Sequence, residues 1–321
     1  EELIIGVDHG YAAMKSVHFS FPSGLVPYEH EPYTQKDVLE YQGRYYVVGS
    51  GRQPLQKDKT QTEDYYLLTL AAIAKELEYR HAERTCSITL AAGLPLTSFG
   101  RDKKKFRDYL LRDGRPALFH YEGLEYAVTI RDVTLFPQGY AAVLTQSGLL
   151  DEPSVIVADI GGWTVDLMRL DNRLPNAATC RSLEWGMIRC IDEISEQVRR
   201  TLGVSMTAAQ IESVLRGDTS SLSDESKAVI HVQADRYVQS LLSAIMECGL
   251  DTRAMPTVFL GGGAALLKRR IPPTNALCQP FILDDVCLNA KGYERLVGQM
   301  SLGPQPKPSA TDSVGKGGAR E

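Results

Sequence analysis

The sequence predicts an α/β protein of two related lobes that share a cleft. Three observations carry this. The stretches "LIIGVDHGYAAMKS" (Leu3–Ser16) and "VIVADIGGWTVDL" (Val155–Leu167) share one layout. In each, an apolar, β-branched run ends in an aspartate, turns on glycine and returns as a second strand. A third stretch, "TVFLGGGAALLKRR" (Thr257–Arg270), runs from a strand through three glycines into a helix. Elsewhere, strand-type runs alternate with helical periodicity, the pattern of an α/β chain.

Taken in order, Leu3, Ile4, Ile5 and Val7 predict a strand over 3–8 that Asp8 closes. Gly10 turns the chain, and Lys15 lies on the returning strand. "YQGRYYVVGSG" holds a strand at 45–49, and "DYYLLTLAAIAKEL" a helix. "ITLAAGLPLTSFGRDKKKFRDYLL" follows a strand over 86–92 with a helix whose basic strip, Arg101 to Lys105, is a solvated face. "VTLFPQGYAAVL" gives a strand at 133–137, then Pro137-Gln138 and a small-residue helix. Val155, Ile156 and Val157 suit a strand buried on both faces, over 154–160. Gly161-Gly162 makes a hairpin to a strand at 165–170. Gly186 opens a helix with Met187, Ile191, Ile194, Val198 and Leu202 on one face, ended by Gly203. Residues 219–223 read as a loop. A long helix covers Asp224 to Cys248 with Val232, Val238, Leu241 and Ile245 inward. Thr257 to Leu260 form a strand ending near 261, and a helix begins near Ala264. Asp285 to Met300 form the last helix. From Gly303 to Glu321 the chain has no apolar periodicity and should be disordered.

Composition narrows the function. The chain has 321 residues, enough for two lobes with separate cores. A net charge of −5 disfavours direct nucleic-acid binding, which needs a basic face. The six cysteines form no C-x-x-C pair and no zinc spacing, which fits a reducing cytoplasm. No uncharged run is long enough for a membrane helix, no membrane contact is expected, and no secretory leader is expected before Leu3.

The Asp-Gly turns point to chemistry. A glycine turn exposes backbone N–H groups at close range, which hold phosphate oxygens. Asp8 or Asp159 would repel a bare phosphate but suits a hydrated Mg²⁺ that the phosphate carries. An ordinary hairpin with a solvated Asp is the alternative for either stretch alone, and the repeat argues against it. Lys15 can reach a phosphate as a point charge. Gly261, Gly262 and Gly263 let a ligand approach a helix N-terminus. Asp166 either stiffens the second hairpin or bonds its own backbone.

These motifs resemble those of the actin, DnaK-type chaperone and sugar-kinase superfamily, and over residues 3 to 300 the chain most resembles the actin-like proteins of the ParM/StbA plasmid-segregating type. The connecting segments and "LNAKGY" add to the likeness. The resemblance implies an actin-like ATPase fold with ATP, or GTP, and Mg²⁺ between the lobes. It implies lobe I at 1–153 with a small subdomain near 20–80, lobe II at 154–284 with one near 187–256, and a returning helix at 285–302. Asp8 and Asp159 would orient water on Mg²⁺, and Gln138 would position the attacking water. Gly10, Tyr11 and Lys15 would meet phosphate on one side, and Gly161, Gly162, Trp163 and Thr164 on the other. Gly186 and Glu193 would lie near the ribose, and Gly261, Gly262 and Gly263 near the base. His9, Tyr11, Ala12 and Trp163 depart from the small or polar residues common at these hairpins. The implied function is a filament-forming nucleotide hydrolase whose partners are further copies of itself and a DNA-binding adaptor. The alternatives are a small-molecule kinase, which lacks a candidate general-base Asp here, a chaperone-like ATPase, which lacks length for a peptide domain, and a cell-shape actin.

Overall fold

A computed structural model describes residues 3–51, 58–146, 148, 152–218, 221–271 and 275–301. The expected disordered segment 303–321 and part of the 219–223 loop lie outside them. The first apolar run forms β1 (Leu3–His9), and β2 (Ala13–Ser16) and β3 (Ser20–Pro22) fold back from it as antiparallel neighbours. Next come β4 (Leu25–Tyr28), β5 (Val38–Tyr41), β6 (Arg44–Val48), α1 (Asp64–Tyr79), β7 (Thr85–Leu94) and α2 (Leu96–Leu111). Then follow β8 (Ala117–Tyr121), β9 (Leu124–Pro137) and α3 (Tyr140–Leu144). The second half holds β10 (Ser154–Ile160), β11 (Val165–Asp171), β12 (Leu174–Leu183), α4 (Met187–Leu202), α5 (Ala208–Arg216) and α6 (Asp224–Glu247). It continues with β13 (Thr257–Leu260), α7 (Gly261–Leu267), β14 (Pro280–Ile282) and α8 (Leu288–Ser301).

The strands form a nine-stranded sheet, ordered β3-β2-β1-β7-β9-β8-β5-β6-β4, and a five-stranded sheet, ordered β12-β11-β10-β13-β14. The first five strands of the larger sheet repeat the smaller one. Each has an antiparallel three-strand meander followed by two parallel strands. The doubled Asp-Gly motif therefore marks a doubled topology.

β10 shows why its sequence is apolar at consecutive positions. Ile156, Ala158 and Ile160 pack with Ile191 and Ile194 of α4 and Leu241 of α6. Val155 and Val157 face the other way, onto Val143 of α3 and Met168. Each such side chain contributes roughly 1.5–3 kcal/mol on full burial. In the first lobe, α1 covers β1 and β7 through Leu68, Ala72, Ile5 and Leu90. α8 then lies against α3, so close that a Cβ on Gly292 would come 2.6 Å from the Ala141 carbonyl oxygen. Only glycine fits that approach.

Some boundaries differ from expectation. β9 starts at Leu124 rather than 133, because its first half pairs with β8 as a hairpin. α7 begins at Gly261, not near Ala264, since the glycines themselves form its first turn. Val232 is 50% exposed, not inward. It lies about 200° around α6 from the buried Ile230. The short or exposed strands β3, β4, β5, β12 and β14 give little apolar alternation, and α5 begins at a Thr207/Gln210 capping box that the sequence reading passed over. No helix among the described residues is long and apolar enough to cross a membrane.

Candidate functional site

The β1–β2 and β10–β11 hairpins face each other across a cavity of about 800 Å³ lined from both lobes. Their tips touch: a Cβ on Gly162 would come 2.5 Å from the Ala12 Cβ. In the first hairpin the cross-strand pair is Asp8 with Lys15. Lys15 Nζ donates to Asp8 Oδ2 at 3.1 Å, and Gln138 Nε2 donates to Asp8 Oδ1 at 2.8 Å. Burial pushes the Asp8 carboxyl up, but Lys15, Lys59 and Gln138 outweigh it and hold the pKa below 3.8. Burial opposes the Lys15 charge, and Asp8 and Asp159 more than restore it.

The same position in the second hairpin carries an acid. Asp159 pairs across the strands with Asp166. Burial and the facing Asp8 push Asp159 up to about 6, against the pull of Lys15 and Asn289. Burial also raises Asp166, although Ser182, Lys59 and Thr164 oppose it. Thr164 Oγ1 lies 3.4 Å from Asp166 Oδ2, so this carboxylate ties the hairpin loop to its strand while lining the cavity.

Gln138 and Asn289 join the two sides. Gln138 directly follows Pro137, the last residue of β9, and is buried. The next residue, Gly139, turns at φ 73° into α3. Its N–H donates to Asn289 Oδ1 at 2.9 Å, and Asn289 Nδ2 donates to Asp159 Oδ2 at 2.8 Å. One amide on α8 thus bridges the β9–α3 corner and the second hairpin.

Gly10, Tyr11, Lys15, Gly161, Gly162, Trp163, Thr164, Gly262 and Gly263 all line the cavity with Asp8, Gln138 and Asp159. Gly261 does not. It sits behind Asp159 at φ 87°, where a Cβ would come 2.4 Å from Asp159 Oδ1. Gly262 has open space in front of it, and a Cβ on Gly263 would come 2.2 Å from Ile160 Cγ2. Gly186 lies behind the second hairpin. Its N–H donates to Trp163 O at 2.9 Å, and the next two N–H groups reach the Gly161 and Gly162 carbonyls. Glu193 is not brought to the cavity, because its carboxylate pairs with Arg189 at 2.9 Å one turn earlier on α4. His9 is fully buried. Thr69 Oγ1 donates to Tyr65 O at 2.6 Å, so it accepts from His9 Nε2–H at 2.8 Å. Burial and Lys59 push His9 down to about 3, which keeps the ring neutral.

The family model for the N-terminal domain of actin-like proteins matches residues 6–140. That for the C-terminal domain of archaeal, MreB-like actin homologues matches residues 157–272. The chain belongs to the actin-like proteins. The archaeal actin homologue Ta0583 superposes with a TM-score of 0.74 at 18% identity, covering 93% of this chain and 99% of that one. A ParM from Clostridium botulinum, solved as a 15-stranded filament, gives 0.72 at 18% identity, with 93% and 99% covered. Bacillus thuringiensis ParM with ATP gives 0.67 at 15% identity, again with 93% and 99% covered. At such identities the likeness is one of fold. No curated protein matches the chain in sequence.

Sequence reasoning missed four residues in or beside this actin-like cleft. Asn289 sits in the "LNAKGY" stretch, where a polar residue opens a mostly buried helix face. Lys59 lies in a polar run that gives no local sign of burial. Arg216 of α5 and Arg269 line the cavity, as Gly262 does. The donor set also tests the expected metal. Among the described residues no three His, Cys, Asp or Glu side chains converge as a metal cage. Instead the buried Asp8 and Asp159 and the half-buried Asp166 share the cavity wall with the half-buried Lys15 and the buried Lys59. Asp166 Oδ1 is buried without a hydrogen-bond partner. That surplus of negative charge fits a hydrated divalent cation arriving with phosphate and does not fit a bare anion.

Proposed function

We propose that this actin-like protein binds and hydrolyses a nucleoside triphosphate, ATP or GTP, with Mg²⁺, and couples hydrolysis to filament assembly that segregates plasmid DNA. The observation that carries the reading is the pair of facing hairpins. Each ends a buried strand in an aspartate, and Gln138 bonds one of those aspartates from the inter-lobe corner. Mg²⁺ would supply charge neutralisation on the phosphates, with Asp8 and Asp159 holding its waters. The loop N–H groups of Gly10 to Ala12 and Gly162 to Thr164 bind phosphate oxygens, while the Gly161 N–H donates to Thr164 O at 2.9 Å and closes the turn. Lys15 neutralises phosphate charge while remaining paired with Asp8. Gln138, anchored through Nε2, presents Oε1 to the attacking water and orients it without acting as a strong base. Gly262 leaves room for the nucleoside, and Gly186 braces the second hairpin.

Structures of a ParM filament, an Alp12 filament and a ParM with ATP share this fold, which supports a polymerising nucleotide hydrolase. The partners are further copies of the chain and a DNA-binding adaptor, since a net charge of −5 suits indirect contact with DNA. The compartment is the cytoplasm. Light scattering and phosphate release, followed together after adding ATP or GTP with Mg²⁺, test the reading. Both signals should rise with one of the nucleotides. Turnover without scattering would remove the filament, and absence of nucleotide binding would remove the whole reading.

A further inference from the structure

Lys59 is a buried charge that the chemistry above gives no task. It is 8% exposed and lies between β6 and α1. Asp58 fixes its turn, accepting from Thr60 N–H at 2.9 Å and Thr60 Oγ1 at 2.6 Å, and from Lys105 of α2. The Lys59 ammonium donates to the carbonyl of His9 at the end of β1. It sits 4.7 Å from the Tyr11 ring centroid and 5.4 Å from that of Tyr65. An ammonium has three donors. Among the described residues no second protein acceptor bonds this one, although it lines the cavity.

Charge placement says what it awaits. Lys15 and Asp166 hold the same position in the two hairpins, each across from the strand-end aspartate. The first hairpin carries its own cation and the second does not. Asp8 of one hairpin and Asp166 of the other both favour the charge on Lys59, whereas Asp8 and Asp159 favour that on Lys15. Asp8 and Asp166 favour the Lys59 charge, but burial and Lys15 outweigh them and bring it down to about 8, so a phosphate oxygen that accepts from the ammonium would restore the charged form. The tip of the first hairpin, where Lys59 rests, belongs to lobe I. Gly262, Arg216 and Arg269 line the cavity from lobe II. A nucleotide with its base by Gly262 and its phosphates between the hairpins runs its last phosphate toward Lys59.

We infer that Lys59 binds the terminal phosphate of a nucleoside triphosphate and thereby sets the preference of the cleft for triphosphate over diphosphate. The inference rests on the nucleotide reading above. Its test compares wild type, Lys59→Met and Lys59→Arg in titrations with a non-hydrolysable triphosphate analogue and with the diphosphate, both with Mg²⁺. Circular dichroism checks folding, and Lys59→Gln replaces Lys59→Met should that variant not fold. Loss of the ammonium should weaken triphosphate binding about 10- to 100-fold, the range for a hydrogen bond to a charged group, and diphosphate binding less than about 3-fold. Lys59→Arg, which keeps the charge, should retain most of the preference. Equal loss of both nucleotides would make Lys59 structural, and unchanged affinity for both would leave it without a ligand. Either overturns the inference while wild-type binding upholds the nucleotide reading. A wild type that binds neither nucleotide overturns both together.

Discussion

Burial and the nearby Asp8 raise Asp159 from 3.8 to about 6, so a carboxylate that the proposed chemistry relies on destabilises the fold when ionised. Between these two values the folded chain holds a proton that the unfolded chain releases. Stability therefore rises as pH falls from above 6 toward 3.8, and at pH 7 the ionised group costs about 3 kcal/mol. Asp159→Asn keeps the shape and an acceptor for Asn289, and we expect it to melt higher than wild type at pH 7 without nucleotide. The gain should shrink below pH 6 and vanish near pH 4. Thermal melts across that range check it, and a flat difference between the two proteins would remove the charge explanation. The same variant should lose Mg²⁺-dependent phosphate release, as should Asp159→Ala. Gln138→Ala separates chemistry from assembly. Hydrolysis should fall about 10- to 1000-fold, the size of one lost positioning contact, while nucleotide affinity and scattering persist and filaments last longer. Wild-type turnover in Gln138→Ala would assign the water to another residue. Asp8, Asp159 and Gln138 were legible because each stands inside a local motif that shapes its own backbone. Lys59 and Asn289 were not, because each reaches the cleft from a segment far away in sequence and its neighbours there say nothing about the destination.

At the scale of an element, the three glycines of α7 have separable tasks. Gly261 needs φ 87° and leaves no room before Asp159 Oδ1. Gly261→Ala should lower the unfolding free energy by more than about 1 kcal/mol, from backbone strain and the close contact. Gly262 faces open space, so Gly262→Val should fold with little loss yet weaken nucleotide about 10-fold by filling the approach to the backbone. Denaturant melts and fluorescent-nucleotide titrations on the two variants should give opposite patterns. Equal nucleotide affinity in Gly262→Val and wild type would take this turn out of the pocket. The strands flanking these turns were readable because burial on both faces demands continuous apolar residues, as in Val155 to Val157. β12 was not, since half of its residues are exposed and no alternation survives. β8 and the first half of β9 do alternate, Ala117, Phe119 and Tyr121 facing in, but a 14-residue strand that pairs antiparallel with β8 and parallel with β7 has no single local signature.

Across the whole molecule, α8 bonds to both sides of the cleft, through Glu294 on one and Asn289 on the other. Glu294 anchors it to lobe I, accepting from the Gly6 N–H at 2.9 Å and from Arg80 at 2.9 Å, and Arg80 in turn holds the buried Glu76. The helix therefore moves with β1 and α1. Its first turn carries Asn289, whose amide holds the Gly139 N–H and the Asp159 carboxylate at once. A ligand that draws on Asp159 thus acts on a group tied through α8 to the body of lobe I. Asn289→Ala cuts that tie without touching the hairpin glycines or Gln138. It leaves a buried N–H and a buried carboxylate oxygen without their partner, which should cost about 1–3 kcal/mol each way the loss is felt. The nucleotide-free variant should melt lower and show a larger radius of gyration in small-angle scattering, because the lobes are less firmly held. Nucleotide with Mg²⁺ should restore part of the compactness by bridging the hairpins directly. Assembly is the sharper readout, since subunits that meet only with the lobes correctly set should need more nucleotide to begin scattering. If Asn289→Ala has wild-type dimensions, melting and nucleotide dependence of scattering, α8 is only a cover for β1, and the communication between lobes runs through the β9–α3 corner alone.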